Sequence, residues 1–187
     1  MNTPNLLTPS QTVGPFFTLG LQQSASLEQN RSPLTNVISG NGHKISISGK
    51  IMDGNLEPIP DALIEIRQPD NLGKFNNPNF LGFARSHTDY NEEKEFLFDT
   101  VKPNADSVYG APHICVVIYM RGLLTQLYTR IYFSDELEAN SRDQVLSMIP
   151  ERRRGTLIAQ QKENIGKTIY QFDMYMQGDQ ETVFFHP

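Results

Sequence analysis

From residue 44 onward the chain consists of short runs in which apolar residues recur at every second position, the period of a half-buried strand. Ile45, Ile47 and Ile51 alternate with polar neighbours, and Glu95 to Thr100 alternates again. In Thr125 to Phe133, Leu127, Ile131 and Phe133 share one face, while Gln126, Tyr128, Arg130 and Tyr132 share the other. Ile114 to Met120 is almost continuously apolar, the pattern of a central sandwich strand. Asp53-Gly54 is a tight-turn signal, with Ala62 to Ile66 as its return strand. Thr168 to Met176 and Thr182 to Phe185 complete the set. One helix is expected over Asp135 to Met148, with Ser134 as cap and Asp135 and Glu136 at the positive end of its dipole. Many short strands separated by turns predict an all-β fold, an antiparallel β-sandwich.

Residues 1–43 show little periodicity and many polar, Pro and Gly residues. They are expected to form an extended N-terminal arm packed on a partner, followed by a sandwich domain over 44–187. The length, 187 residues, suits a single domain. With 16 Lys plus Arg against 21 Asp plus Glu, the net charge of −5 argues against a nucleic-acid surface. The basic run Arg152-Arg153-Arg154 reads as a solvated face. The single cysteine, Cys115, forbids an internal disulfide and fits a reducing compartment. Met1 to Leu7 has no basic-then-apolar pattern, and no apolar run approaches the roughly 20 residues of a membrane span, so a cytoplasmic location with no membrane partner is expected.

Few residues offer chemistry. His113 and Cys115, two apart on a strand, leave the same face. They read either as half of a metal site or as a hydrogen-bonded histidine beside a small apolar thiol. Nothing local would activate Cys115 as a nucleophile. In TPSQTVGPFF (residues 8–17), Gly14-Pro15 fixes a bend that reads as an ordinary turn or as a segment presented closely to a ligand. Arg130, on an aromatic strand face, reads as a surface arginine or as a carboxylate clamp.

In order and spacing these segments resemble the intradiol ring-cleavage dioxygenase family. The likeness runs through TPSQTVGPFF, GKIMDGNLEPIPDALIEIRQPDNLGKF (49–75), PNFLGFARS (78–86), FDTVKPN (98–104), APHICVVIYMRG (111–122), LYTRIYFSDE (127–136) and QGDQETVFF (177–185), nearly the whole chain. It implies a prealbumin-like sandwich with one or two short helices. Catalytic members of the family hold ferric iron with two tyrosines and two histidines. Here Phe75 stands at the first tyrosine position, Asn104-Ala105-Asp106 follows Lys102-Pro103 where the second is expected, and Cys115 replaces one histidine. Only His113 of the four remains, although a local shift would bring Tyr109 near the second tyrosine position. Gly110-Ala111 replaces an arginine, and Arg67 stands where relatives place Trp in a chain that has none.

The resemblance therefore implies a non-catalytic subunit with no metal or catalytic residue of its own. It would pair with a homologous catalytic beta subunit that binds Fe(III). The implied substrate is 3,4-dihydroxybenzoate, opened with O2 to 3-carboxy-cis,cis-muconate. In that setting Thr12, Gly14, Pro15 and Phe16 would approach the substrate, and Arg130 would meet its carboxylate. The alternative from another class is a stand-alone prealbumin-like binding or structural module, which would have no reason to carry both TPSQTVGPFF and LYTRIYFSDE.

Overall fold

The computed structural model describes Thr12, Gly14 and residues 35–89, 91–106, 110–164 and 166–186. Ten strands and three short α-helices are present among them. The strands are β1 (Lys44–Gly49), β2 (Ile51–Met52), β3 (Leu63–Arg67), β4 (Phe83–His87), β5 (Phe96–Val101), β6 (His113–Tyr119), β7 (Leu127–Phe133), β8 (Ile158–Asn164), β9 (Lys167–Gln171) and β10 (Met174–Tyr175). The helices are α1 (Leu137–Arg142), α2 (Gln144–Met148) and α3 (Glu151–Arg154).

Eight strands form one hydrogen-bonded series, β4-β3-β6-β7-β8-β9-β1-β5. It folds over itself at β8. Ile158 and Ala159 pair with β7, and the residues from Gln160 onward pair with β9. The two leaves enclose a core of alternate residues: Ile45 and Ile47 from β1, Phe96 and Phe98 from β5, Ile64 and Ile66 from β3, Ile114, Val116 and Ile118 from β6, and Ile131 and Phe133 from β7. This is the sandwich expected from the period of two. Pairing is mainly antiparallel, but β1–β9, β7–β8 and β10–β2 are parallel.

Several local expectations need correction. The turn at Asp53 exists: its Oδ1 accepts from the amides of Asn55 (2.8 Å) and Glu57 (2.9 Å). It does not lead into a hairpin, because β3 pairs with β4 and β6 in the other leaf. Thr168 to Met176 is broken where Asp173 accepts the Lys50 amide at 2.9 Å, and the segment from Thr182 to Phe185 contributes only an isolated bridge from Phe185 to Tyr128. β4 and β8 were not expected. The single helix over 135–148 is two helices, and α3 is a third beyond them. Asp143 sits in extended backbone between α1 and α2, and its side chain accepts from Leu146 N. Ser134 does not cap; its hydroxyl accepts from Gln161 N at 2.9 Å.

Two of the three arginines of the basic run are fixed structurally. Arg153 donates to Glu181 O (2.9 Å), and Arg154 Nε donates to Ile149 O (2.9 Å). Before β1, Ile38 is buried, and its amide donates to Asp99 O at 2.9 Å along β5.

Candidate functional site

The outer face of the β3-β6-β7 leaf carries the residues singled out from the sequence. Residues directly opposite in an antiparallel ladder point to the same side. Arg67 faces Cys115 across β3–β6, and Cys115 faces Arg130 across β6–β7. One rung further, His113 faces Tyr132. The loop after β3 brings Gly73, Lys74 and Phe75 over this row, and Ala105 and Asp106 close the side. Gly73 permits that approach: its φ is +80°, and a Cβ there would collide with the Ala105 carbonyl. The result is a cleft of about 960 Å3 lined by Arg67, Phe75, His113, Cys115 and Arg130, among others.

His113 is buried and its Nδ1 lies 2.9 Å from the Ala111 carbonyl. Burial lowers its pKa and the neighbouring Arg130 lowers it further, so the imidazole is neutral near pH 7. Burial raises the Cys115 thiol against the opposing pull of Arg130 and Arg67, so it stays protonated. Of the four positions at which the family resemblance would place metal ligands, the cleft shows one imidazole (His113), one thiol (Cys115) and the oxygen-free ring of Phe75. A hard ferric ion prefers phenolate and imidazole, so this donor set does not fit it. No group of three or more His, Cys, Asp or Glu suited to a metal occurs among the described residues. Tyr109 lies outside the described residues.

Arg130 is half-buried and held from one side. Its Nη1 donates to Tyr132 Oη (3.2 Å), and Tyr132 Oη donates to Asp143 Oδ1 (3.2 Å). Its guanidinium carbon also lies 5.8 Å from the Phe185 ring centroid. Tyr132 and Asp143 are fully buried, and burial raises the Tyr132 phenol well above its ordinary value, so it remains a donor. Asp143 further accepts from the amides of Ala111 (2.9 Å) and Leu146 (2.8 Å). Gly110, at φ +90°, leaves room for that carboxylate, which a Cβ would strike. One buried aspartate thus ties the start of α2, the strand entry at Ala111 and the phenol behind Arg130. Beyond Arg130 on the other side runs an apolar groove of about 890 Å3 between β7, α2 and the C-terminal segment.

Thr12 lies elsewhere. Its Oγ1 accepts from Gly122 N at 3.1 Å, in the turn joining β6 to β7 at the end remote from His113. Gly14 is exposed, and a Cβ there would meet nothing within 4 Å among the described residues. Neither residue lines the two clefts that contain Arg130. Pro15 and Phe16 lie outside the described residues. Sequence reasoning missed the backing of Arg130 by Tyr132 and Asp143, and the alignment of Arg67 with Arg130. The first had a signal, an aspartate three residues before Leu146, which is a cap pattern. The second needs the register of three strands.

No protein-family model matches the chain. Among solved structures, the dioxygenase domain of a dioxygenase–carbohydrate-binding fusion from Streptomyces sp. SirexAA-E matches with a TM-score of 0.63 at 18% identity, over 94% of this chain and 100% of that one. An intradiol ring-cleavage dioxygenase from Tetranychus urticae matches at 0.58 and 17% identity, over 91% and 94%. The fold is thus that of the intradiol ring-cleavage dioxygenases. In sequence, the protocatechuate 3,4-dioxygenase alpha chain of Burkholderia cepacia is 40% identical over 95% of this chain and 96% of its own. That of Pseudomonas putida is 38% identical over 95% of each, and a Burkholderia cepacia beta chain is 27% identical over 75% of this chain and 67% of its own. The chain belongs to the family of protocatechuate 3,4-dioxygenase alpha chains.

Proposed function

We propose that this chain is the alpha subunit of a cytoplasmic protocatechuate 3,4-dioxygenase and works in a hetero-oligomer with a homologous beta subunit. The holoenzyme adds both atoms of O2 to 3,4-dihydroxybenzoate and opens the ring between its hydroxyl-bearing carbons, giving 3-carboxy-cis,cis-muconate. Ferric iron, held by the beta subunit, would supply Lewis acidity to the bound catechol. The observation that carries this reading is the cleft in which Phe75, His113 and Cys115 meet, where the resemblance would place a metal and where Phe75 has no oxygen to offer one.

The work left to this chain is shape, exclusion of water and charge. Thr12, Gly14, Pro15 and Phe16 form part of the wall of the partner's pocket, and the arm lies along the partner as far as residue 34, since residues 35–38 bond to β4 and β5 of this chain. Arg130, already oriented by Tyr132, meets the ring carboxylate, which needs a compensating charge as it loses water. Oxygen uptake with protocatechuate, measured for each chain alone and for the mixture, tests the reading. Sustained turnover is expected only from the pair. Turnover by this chain alone, or by the partner at an undiminished rate without it, would overturn the proposal.

A further inference from the structure

Asn41-Gly42 is the one Asn-Gly step in the sequence. It lies between Ile38, bonded to β5, and the start of β1, in a stretch whose residues 39–44 are all exposed. A glycine after asparagine leaves its amide nitrogen unshielded and its φ free, so that nitrogen can reach the carbonyl carbon of the asparagine side chain. A hydrogen bond to either group opposes the attack. Among the described residues, neither the Asn41 side chain nor the Gly42 amide makes one. Gly42 also has φ +123°, a conformation that glycine adopts without strain.

Comparable sites are held. Nearby Asn36 donates its Nδ2 to Leu97 O at 3.0 Å, Asn77 donates to Asp70 Oδ2 at 2.7 Å, and Asn140 donates to Phe133 O at 2.8 Å. The Asp53-Gly54 step has its carboxylate tied to the amides of Asn55 and Glu57. The surroundings of Gly42 give a change there a consequence. A Cβ at residue 42 would fall 2.8 Å from Asn71 Cβ, so the two backbones pack closely. Asn71 belongs to the turn that Asp70 organises by accepting from Leu72 N (2.8 Å) and Lys74 N (2.9 Å), and that turn opens the loop carrying Phe75 over the cleft. Immediately after Gly42, His43 O accepts from Lys102 N at 2.7 Å.

We propose that Asn41 is a site of spontaneous deamidation in the folded chain, and that its isoaspartyl product loosens the Asp70 turn. The Gly42 nitrogen loses its proton to water or hydroxide and bonds to Asn41 Cγ. The Cγ–Nδ2 bond breaks, ammonia leaves with a proton, and a cyclic succinimide closes. Water then adds to either ring carbonyl. Breaking the bond from nitrogen to Cγ leaves aspartate. Breaking the bond from nitrogen to the main-chain carbonyl carbon leaves isoaspartate, with the backbone routed through the side chain. Overall a water is consumed and an ammonia released, with no oxidant or reductant. Isoaspartate lengthens the main chain by a methylene, which pushes Gly42 against Asn71 and strains the bond from Lys102 to His43 O. Either product adds a negative charge next in sequence to Gly42, His43 and Lys44, the last two of which line a pocket with Lys162 and Lys167.

The test ages the assembled complex at mildly alkaline pH, which favours the deprotonated attacking amide, and follows the tryptic peptide 32–44 by mass. That peptide holds both Asn36 and Asn41, so Asn36 serves as an internal control. Asn41 is expected to convert in the folded complex at the rate seen in the urea-unfolded chain, with isoaspartate among the products and Asn36 unchanged. Asn41→Gln, which would need a larger ring, should stay unmodified at residue 41. Conversion in urea that stops in the folded complex overturns the site. Hydrogen exchange at the Leu72 and Lys74 amides tests the consequence. Aged wild type should lose protection there, and aged Asn41→Gln should keep it. Equal protection in the two aged proteins overturns the link from Asn41 to the turn.

Discussion

At the scale of single residues, Arg130 reaches its cleft with one nitrogen engaged by Tyr132, so part of the entropy of fixing a long side chain is spent during folding. Arg130→Ala is expected to weaken protocatechuate binding by roughly 10- to 150-fold and to leave catechol nearly unaffected; steady-state kinetics on both substrates check this. Behind it, Asp143 accepts three hydrogen bonds from Tyr132, Ala111 and Leu146 with no exposure to solvent. Asp143→Ala removes a helix cap and strands buried donors, so a loss of roughly 2–4 kcal/mol is expected in the urea unfolding free energy. The faces of β7 were legible in the sequence, because Arg130 and Tyr132 fall out of phase with Ile131 and Phe133. The role of Asp143 was not. Its position inside an apparently continuous helical stretch hid that its side chain serves a strand entry 32 residues away.

At the scale of elements, the alternating runs gave most strands because burial on one face writes itself as a period of two. β4 and β8 escaped for physical reasons. β8 (Ile158–Asn164) is polar beyond Ala159, since it leaves the core as it passes from one leaf to the other. β4 reads Phe-Ala-Arg-Ser-His, and its buried Ser86 accepts a hydrogen bond from Leu97 N rather than making an apolar contact. The acidic turn after β7 was expected to serve a helix dipole, but it clamps Lys102. The ammonium lies 2.6 Å from both Asp135 and Glu136. Burial alone would lower the Lys102 pKa, but its bonds to the two acids hold it above the ordinary lysine value. Burial pushes Asp135 up, and Lys102 more than reverses this, leaving it below the ordinary value.

The signs fix a pH window. A depressed Asp135 contributes stability above the ordinary aspartate value of 3.8 and loses it as pH falls through its lower folded value. A raised Lys102 contributes below 10.5 and loses it as pH rises through its higher folded value. Lys102→Met should therefore cost roughly 1–2 kcal/mol at pH 7, discounted for partial exposure of the acids. The gap from wild type should shrink in strong acid and again in strong base. Urea midpoints at the three pH values measure it, and a gap independent of pH would contradict the clamp.

At the scale of the whole molecule, the candidate site is split in a way that suits a subunit. Thr12 sits at the Gly122 turn, away from both clefts that contain Arg130, so within this chain the two parts of the expected site do not meet. A partner surface spanning them would bring both to one substrate. Gly14 makes this testable, since a Cβ there meets nothing among the described residues within 4 Å. Gly14→Val should leave the fold and the assembly intact yet lower turnover by the complex; unchanged kinetics in an assembled, iron-loaded complex would make the bend at Gly14-Pro15 an ordinary turn. The resemblance was readable across nearly the whole chain, but the convergence of Phe75, His113 and Cys115 required the loop after β3 to fold over β6. The central claim is that this chain lends its wall and its charge to a metal it does not hold. Iron content and visible absorption, measured on this chain purified alone and then on its complex with the beta subunit, test that claim most directly. The expected result is a colourless, iron-poor chain and a coloured complex with about one iron per alpha–beta pair. Stoichiometric iron with a tyrosinate-to-iron absorption band in the isolated chain would contradict it.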